Sequence, residues 1–130
     1  MVLIIPFYAA LCAIFYFFLS MQVIRLRNTE KVGLGSGDNP ALFRAIRVHG
    51  NFCEYVPLTL VLYLMLELQG HSARALHIFG ALLLLSRLLH SIGIHKSSGR
   101  SIGRFVGAGA NFVLIISASS LLIFKFLKII

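Results

Sequence analysis

Apolar residues occur along this chain in four long segments, separated by short connections that are polar or rich in glycine. Each segment reaches the roughly 20 residues that an α-helix needs to cross the hydrocarbon core of a bilayer. The pattern predicts transmembrane helices over about residues 2–27, 40–69, 73–95 and 104–127. It therefore predicts an all-α integral membrane protein whose four helices form a single domain over residues 1–130.

Local signals predict where two of the helices begin and end. Asn39 is a good N-cap and Pro40 suits the first helical position, so helix 2 is expected to start there. Gly70 is expected to end helix 2, and Ser72 is expected to cap helix 3. Some 30 residues of helix make about 45 Å, which exceeds the ~30 Å hydrocarbon core. The first turns of helix 2 should therefore project toward the headgroups.

Composition supports the membrane assignment and narrows the possible partners. The chain is 58% hydrophobic and only 12% charged, which is too few charges to cover the surface of a soluble domain. Its formal net charge is +8, but the cations cluster at the ends of apolar segments, as membrane topology and anionic lipid headgroups favour. Nucleic-acid binding is not expected. The first segment is read as a retained helix and not a secretory signal, because it lacks a basic start and is followed by Arg25 and Arg27.

The distribution of cations predicts the orientation. Two connections, between helices 1 and 2 and between helices 3 and 4, are expected to lie in the cytoplasm, because they carry more lysine and arginine than the other side. The eight cations of these connections are Arg25, Arg27, Lys31, Arg44, Arg47, Lys96, Arg100 and Arg104. The three on the opposite side are Arg74, Lys125 and Lys128.

Polar residues inside helix 2 form the most informative pattern. Arg47, Asn51, Glu54 and Tyr55 occupy positions i, i+4, i+7 and i+8, so they share one stripe, and Arg44 lies at its edge. Glu54 should lie well inside the membrane, where an unpaired carboxylate is costly. This carboxylate therefore needs a cation.

Helices 3 and 4 add further polar residues to the cytoplasmic half of the bundle. Arg47 or Arg87 could neutralise Glu54, His90 follows Arg87 by three residues, and Arg104 opens helix 4. The cluster is cationic in sum, so it suits an anionic, peptide-like ligand with carboxylates. An arginine can also lower the pKa of a thiol toward neutral. The alternative interpretation is a set of structural ion pairs that fix helix register.

Other residues are given packing roles. Cys12 and Cys53 have no metal-ligand or disulfide spacing, and both are expected to be small apolar packing residues. No metal site is expected. Gly107 and Gly109 are expected to allow close approach of helix 4 to a neighbour.

Three strings resemble the MAPEG family, the membrane-associated proteins of eicosanoid and glutathione metabolism. They are the helix-2 string RVHGNFCEYVP from Arg47 to Pro57, the helix-3 string RLLHSIG from Arg87 to Gly93, and RFVG from Arg104 to Gly107. Together with the four-helix layout they cover nearly the whole chain, which is most similar to the short bacterial members. The resemblance implies a homotrimer in a bacterial inner membrane, with glutathione bound between neighbouring subunits.

The resemblance also implies roles for individual residues. Arg104 matches the arginine that stabilises the thiolate in the family. That match requires a small gap in the connecting loop, so Arg100 remains a competitor for the same role. His90 stands where leukotriene-forming members have a tyrosine and could donate a proton, whereas Ile94 replaces a second tyrosine with an apolar side chain. The expected glutathione-binding residues, of which Arg27 and His49 would come from a neighbouring subunit, are Arg27, Arg47, His49, Asn51, Glu54, Tyr55 and Arg87.

Three functions are compatible with these residues. The favoured one is a membrane glutathione transferase or glutathione-dependent peroxidase, with glutathione as co-substrate and a hydrophobic electrophile arriving from the lipid. The second is a non-catalytic, lipid-binding or scaffolding member of the same fold. The third, a small four-helix exporter, usually needs a carboxylate in helix 1, and helix 1 has none within its membrane-spanning run.

Overall fold

The computed structural model describes residues 4–96 and 102–129, apart from the side chains of His95, Lys96 and Arg104. Within these residues the chain forms helices and no strands. The four helices are α1 (Ile5–Glu30), α2 (Pro40–Leu68), α3 (Ala73–Lys96) and α4 (Ile102–Phe126). All four are long and apolar enough to cross a membrane. The predicted all-α membrane fold is confirmed.

The predicted signals at the ends of α2 and α3 are confirmed in atomic detail. The Asn39 side-chain oxygen accepts hydrogen bonds from the backbone N–H groups of Ala41 and Leu42, each at 2.9 Å. Gly70 adopts a left-handed φ of +82° just after α2, a conformation that glycine reaches without steric cost. Ser72 Oγ accepts from the Ala75 N–H at 3.4 Å, so it caps the start of α3 as expected.

The first helix is longer at its polar end than the apolar pattern predicts. It continues past the expected end at Arg27 to Glu30 and stops where Lys31 adopts a φ of 56°. The extension consists of Asn28, Thr29 and Glu30, and the Thr29 hydroxyl donates to the Arg25 carbonyl one turn earlier at 3.1 Å. A polar sequence can thus continue a helix into the headgroup region after the apolar run has ended. Hydrophobicity marks where the membrane ends, whereas the left-handed residue marks where the helix ends.

Close approach of α3 and α4 depends on one glycine. A Cβ on Gly107 would lie 2.6 Å from the Ser86 carbonyl oxygen and 2.8 Å from the backbone nitrogen and the Cβ of His90. The missing side chain therefore lets the two helices pack with their backbones nearly in contact. The prediction for Gly107 is confirmed. The same prediction for Gly109 is wrong, because a Cβ there would meet nothing within 4 Å.

The bundle has apolar side chains both inside and outside. The helices share a core whose most buried side chains include Leu42, Tyr63, Leu66, Leu83 and Ala118. Large apolar side chains also cover the outer surface, among them Phe17, Phe18, Val113, Ile116 and Phe126. Exposed apolar area of this extent would drive aggregation in water, whereas in a membrane the lipid tails cover it.

A carboxylate joins the end of α2 to the start of α1. Glu67 is 8% exposed, and its two oxygens accept hydrogen bonds from the backbone N–H groups of Ile4 and Ile5, the latter at 2.9 Å. These N–H groups have no partner within their own helix, and the positive end of the helix dipole favours an anion there. The sequence pattern does not predict this contact, because it joins residues more than 60 positions apart.

Candidate functional site

The centre of the polar cluster is Arg87, on α3, which is 3% exposed. Its guanidinium donates to acceptors on three helices. Nη1 donates to Asn51 Oδ1 of α2 at 2.8 Å, Nη2 donates to the Gly107 carbonyl of α4 at 2.6 Å, and Nε donates to Ser86 Oγ of α3 at 3.3 Å. A buried charge is tolerated only when it is paired or hydrogen-bonded in this way. Arg87 thus holds α2, α3 and α4 together at one level.

A small cavity lies beside this contact. It has a volume of about 20 Å³ and is lined by Asn51, Tyr55, Arg87, Ala108, Asn111 and Phe112. The Tyr55 ring packs edge-on against the Phe112 ring, with centroids 5.5 Å apart. The structure therefore brings three of the predicted glutathione-binding residues, Asn51, Tyr55 and Arg87, to one place.

Sequence reasoning missed Asn111, which lines the cavity from α4. It is 1% exposed, and neither its Oδ1 nor its Nδ2 has a hydrogen-bond partner among the residues that the structure describes. An unsatisfied buried polar group costs about 1–3 kcal/mol. One signal could have revealed this residue: Asn111 is the only amide side chain in the uncharged run 105–124.

Two predicted ligand residues face away from the cluster. Arg47 and Glu54 are both exposed on the surface of the single chain, and neither makes a hydrogen bond or an ion pair with any described residue. The expectation that Arg47 or Arg87 neutralises Glu54 is wrong within this chain. Arg87 is committed to Asn51 and Gly107, on the inner side of the helix.

His49 lies in a different polar contact, between α1 and α2. Its Nε2 is 3.1 Å from Ser20 Oγ, and its ring packs against Tyr16 with centroids 5.0 Å apart. Cys53 is exposed, with its Sγ 3.9 Å from His49 Nδ1. The packing role predicted for Cys12 is confirmed, since Cys12 is buried, but the same prediction for Cys53 is wrong.

Arg27 organises the connection between α1 and α2. Its Nη1 donates to the carbonyl oxygens of Val32, Gly33 and Gly35 at 3.0–3.3 Å. These bonds fold the connection back onto the end of α1. Within the single chain Arg27 therefore lies in the last turn of α1 and holds the loop that follows, and its expected contact with a ligand of the neighbouring subunit stays a prediction.

The residues predicted to be catalytic lie near the α3–α4 contact. His90 is 6% exposed and Ile94 is 7% exposed, so both point into the bundle. Arg104 lies on α4 seven residues, about two turns, before Asn111, but its side chain lies outside the described part of the structure. Arg100 also lies outside the described residues. The choice between these two arginines stays open.

Among the described residues, no group of three or more His, Cys, Asp or Glu side chains could hold a metal ion. The available chemistry consists of an exposed cation and carboxylate on α2, and a buried network of guanidinium and amide groups behind them.

Comparisons with known proteins agree with the motifs. The family model described as the MAPEG family matches residues 5–122. Over 88 residues the chain is 42% identical to the inner membrane protein YecN of Escherichia coli strain K12, and the match covers 68% of this chain and 67% of that protein. YecN of Escherichia coli O6:H1 matches with the same identity and coverage. With nearly its whole length matched and four membrane-spanning helices, this chain belongs to the MAPEG family.

Proposed function

We propose that this protein is a membrane-bound glutathione transferase or glutathione-dependent peroxidase that works as a homotrimer. The observation that carries the proposal is the exposed pair on α2. Arg47 and Glu54 are ionic groups on a membrane-crossing helix, and neither has a partner among the described residues. Ionic groups without an ionic partner on a membrane-crossing helix typically mark a binding site.

Glutathione has the charges that complement this pair. It carries two carboxylates and one ammonium group, so a carboxylate can pair with Arg47 and the ammonium with Glu54. The two residues are separated by seven positions, a rise of about 10 Å along the helix. An extended tripeptide spans about the same distance, roughly 3.3–3.6 Å per residue. Asn51 and Tyr55 lie between and beside them on the same stripe.

A neighbouring copy of the chain would cover this charged surface. A surface with ionic groups on an otherwise apolar helix cannot face lipid without a large cost. In a homotrimer the stripe of one subunit faces the next, which encloses a ligand between them. Arg27 and His49 of that neighbour would then complete the site, with Arg27 placed at the end of α1, against the connection that it folds.

Arg87 has a supporting role in this proposal. Three of the five N–H donors of its guanidinium bond Asn51, Gly107 and Ser86, so its buried charge is stabilised without a ligand carboxylate. It fixes the Asn51 oxygen and leaves the Asn51 amide nitrogen free to donate toward the ligand. Arg87 is therefore a positioning residue.

Catalysis would use the glutathione sulfur. Arg104 stabilises the thiolate, and the thiolate attacks an electrophilic carbon of a hydrophobic substrate that arrives from the lipid. A new S–C bond forms while the leaving group departs, or an epoxide opens and takes up a proton that His90 can donate. In the peroxidase reaction the thiolate attacks a hydroperoxide oxygen, the O–O bond breaks and the alcohol leaves. A second glutathione then reduces the sulfenic acid, which gives glutathione disulfide and water. Proximity and activation of the nucleophile supply the rate.

The proposal includes location and orientation. The matched relative is named as an inner membrane protein, and we assign the same membrane to this chain. The excess of lysine and arginine on the two longer connections favours a cytoplasmic position for both, which places the site toward the compartment where glutathione is abundant.

The decisive experiment is an ultraviolet difference titration of the detergent-purified protein with glutathione. A saturable thiolate signal near neutral pH is expected in the wild type. It should disappear in Arg104→Ala and persist in the matched control Arg100→Ala, with size-exclusion light scattering showing the same trimer in all three. A thiolate signal that survives in Arg104→Ala and disappears in Arg100→Ala would transfer the role to Arg100.

One observation favours a second function, a non-catalytic lipid-binding member. Ile94 is buried and apolar at a position where leukotriene-forming members have a tyrosine, so the site lacks one hydroxyl. An intact trimer that gives no thiolate signal and carries phospholipid through purification would support this function over the enzyme.

A further inference from the structure

The cavity between α2, α3 and α4 contains more hydrogen-bonding capacity than the protein satisfies. Asn111 is buried there with both amide atoms unpartnered among the described residues. Asn51 uses its Oδ1 to accept from Arg87 at 2.8 Å, so its Nδ2 remains a donor. The Tyr55 hydroxyl, on the same cavity, makes no hydrogen bond with a described residue.

The burial of Asn111 makes these groups important. Its side chain is 1% exposed, so bulk water does not solvate the amide, and each unsatisfied polar group is costly. In most proteins the large majority of buried polar side chains are hydrogen-bonded to protein groups or to ordered water.

The size and polarity of the cavity identify the partner. Its volume is about 20 Å³, and a cavity needs roughly 10–15 Å³ to admit one water molecule. A buried water typically makes about three hydrogen bonds, and four polar side chains line the cavity: Asn51, Tyr55, Arg87 and Asn111. An anion would need more room, and an apolar group would leave Asn111 unsatisfied.

We propose that this cavity holds one ordered water molecule, which bridges Asn111 of α4 to Asn51 and Tyr55 of α2. The Asn111 Oδ1 accepts one water proton, the Asn51 Nδ2 donates to the water oxygen, and the Tyr55 hydroxyl oxygen accepts the second water proton. Asn111 is then a positioning residue. Through the water it fixes the two α2 side chains that, in the proposed function, face glutathione.

A high-resolution electron cryo-microscopy map of the protein in nanodiscs tests the hydration site directly, without any ligand. Density for one water within hydrogen-bond distance of Asn111 is expected in the wild type and in Asn111→Ser, which keeps a polar group. It should be absent in Asn111→Leu, whose side chain fills the space. A map that resolves other internal waters at the same depth but none in this cavity would overturn the proposal.

Glutathione titration calorimetry tests the positioning role, which rests on the proposed function. Asn111→Leu should weaken binding about fivefold to tenfold, the effect of about one hydrogen bond. Asn111→Ser should restore most of the affinity, and the control Ser117→Leu, elsewhere on α4, should leave it unchanged. Equal affinity in Asn111→Leu and the wild type would reject the role. If the wild type does not bind glutathione, the proposed function fails, while the water density alone still decides the hydration site.

Discussion

The contact between Arg87 and Asn51 allows a quantitative prediction about how the site is held. The bond joins Nη1 to Oδ1 at 2.8 Å, between a guanidinium that is 3% exposed and an amide on a neighbouring helix. A hydrogen bond to a charged group contributes about 1.5–3 kcal/mol. The coupling free energy between the two side chains should therefore lie in that range.

A double-mutant cycle isolates this free energy. Arg87→Met keeps an apolar stem and removes the guanidinium, and Asn51→Leu removes the amide at similar volume. Each single variant leaves the other partner unsatisfied and buried, so each should be clearly destabilised. The double variant removes both groups and should be more stable than the sum of the single effects predicts.

The measurement is reversible unfolding by sodium dodecyl sulfate in mixed micelles, followed by circular dichroism. A coupling of about 1.5–3 kcal/mol corresponds to roughly a 10- to 150-fold change in the unfolding equilibrium constant. The control cycle pairs Asn51→Leu with Lys125→Met, because Lys125 bonds the Gln69 carbonyl elsewhere in the bundle. Additivity within about 0.5 kcal/mol is expected there. The same additivity in the Arg87–Asn51 cycle would refute the positioning role of Arg87.

Two further substitutions test the packing that supports the site. Glu67→Gln should destabilise the start of α1 by about 2 kcal/mol, because it removes the charge that accepts from two helix N–H groups. Hydrogen exchange of the Ile5 amide should then accelerate roughly 30-fold. The exposed control Glu30→Gln should leave that exchange rate unchanged. Gly107→Ala should destabilise the bundle by about 1–3 kcal/mol through overpacking against α3, whereas Gly109→Ala, which meets open space, should stabilise it by up to about 1 kcal/mol through helix propensity. Equal effects at the two glycines in thermal unfolding would contradict the close approach of α3 and α4.

Much of the candidate site could be located on one helix before the structure was known. The period of 3.6 residues places Arg47, Asn51, Glu54 and Tyr55 on one stripe of α2, and that stripe follows from chain geometry alone. The pairing of these side chains could not be predicted. The sequence was compatible with a pairing of Arg87 and Glu54. In the packed bundle Arg87 donates to Asn51 instead, and Glu54 remains exposed.

Asn111 and Glu67 illustrate a second limit of sequence reasoning. Each is a single polar residue in or beside an apolar segment, and neither belongs to a recognisable motif. Their roles depend on what lies opposite them: a cavity lined by α2 and α3 for Asn111, and the free N–H groups of α1 for Glu67. Contacts between residues so far apart in the chain arise only when the helices pack.

The sequence by itself determined the membrane-spanning architecture and the capped starts of α2 and α3. It also determined which polar residues share the charged stripe of α2. These features depend on local properties: apolar length, capping side chains and helical periodicity. Tertiary structure decided which polar groups are satisfied inside one chain and which remain available. That division depends on the distances between helices, because a hydrogen bond is lost within about an ångström of misplacement, and only the packed bundle fixes those distances.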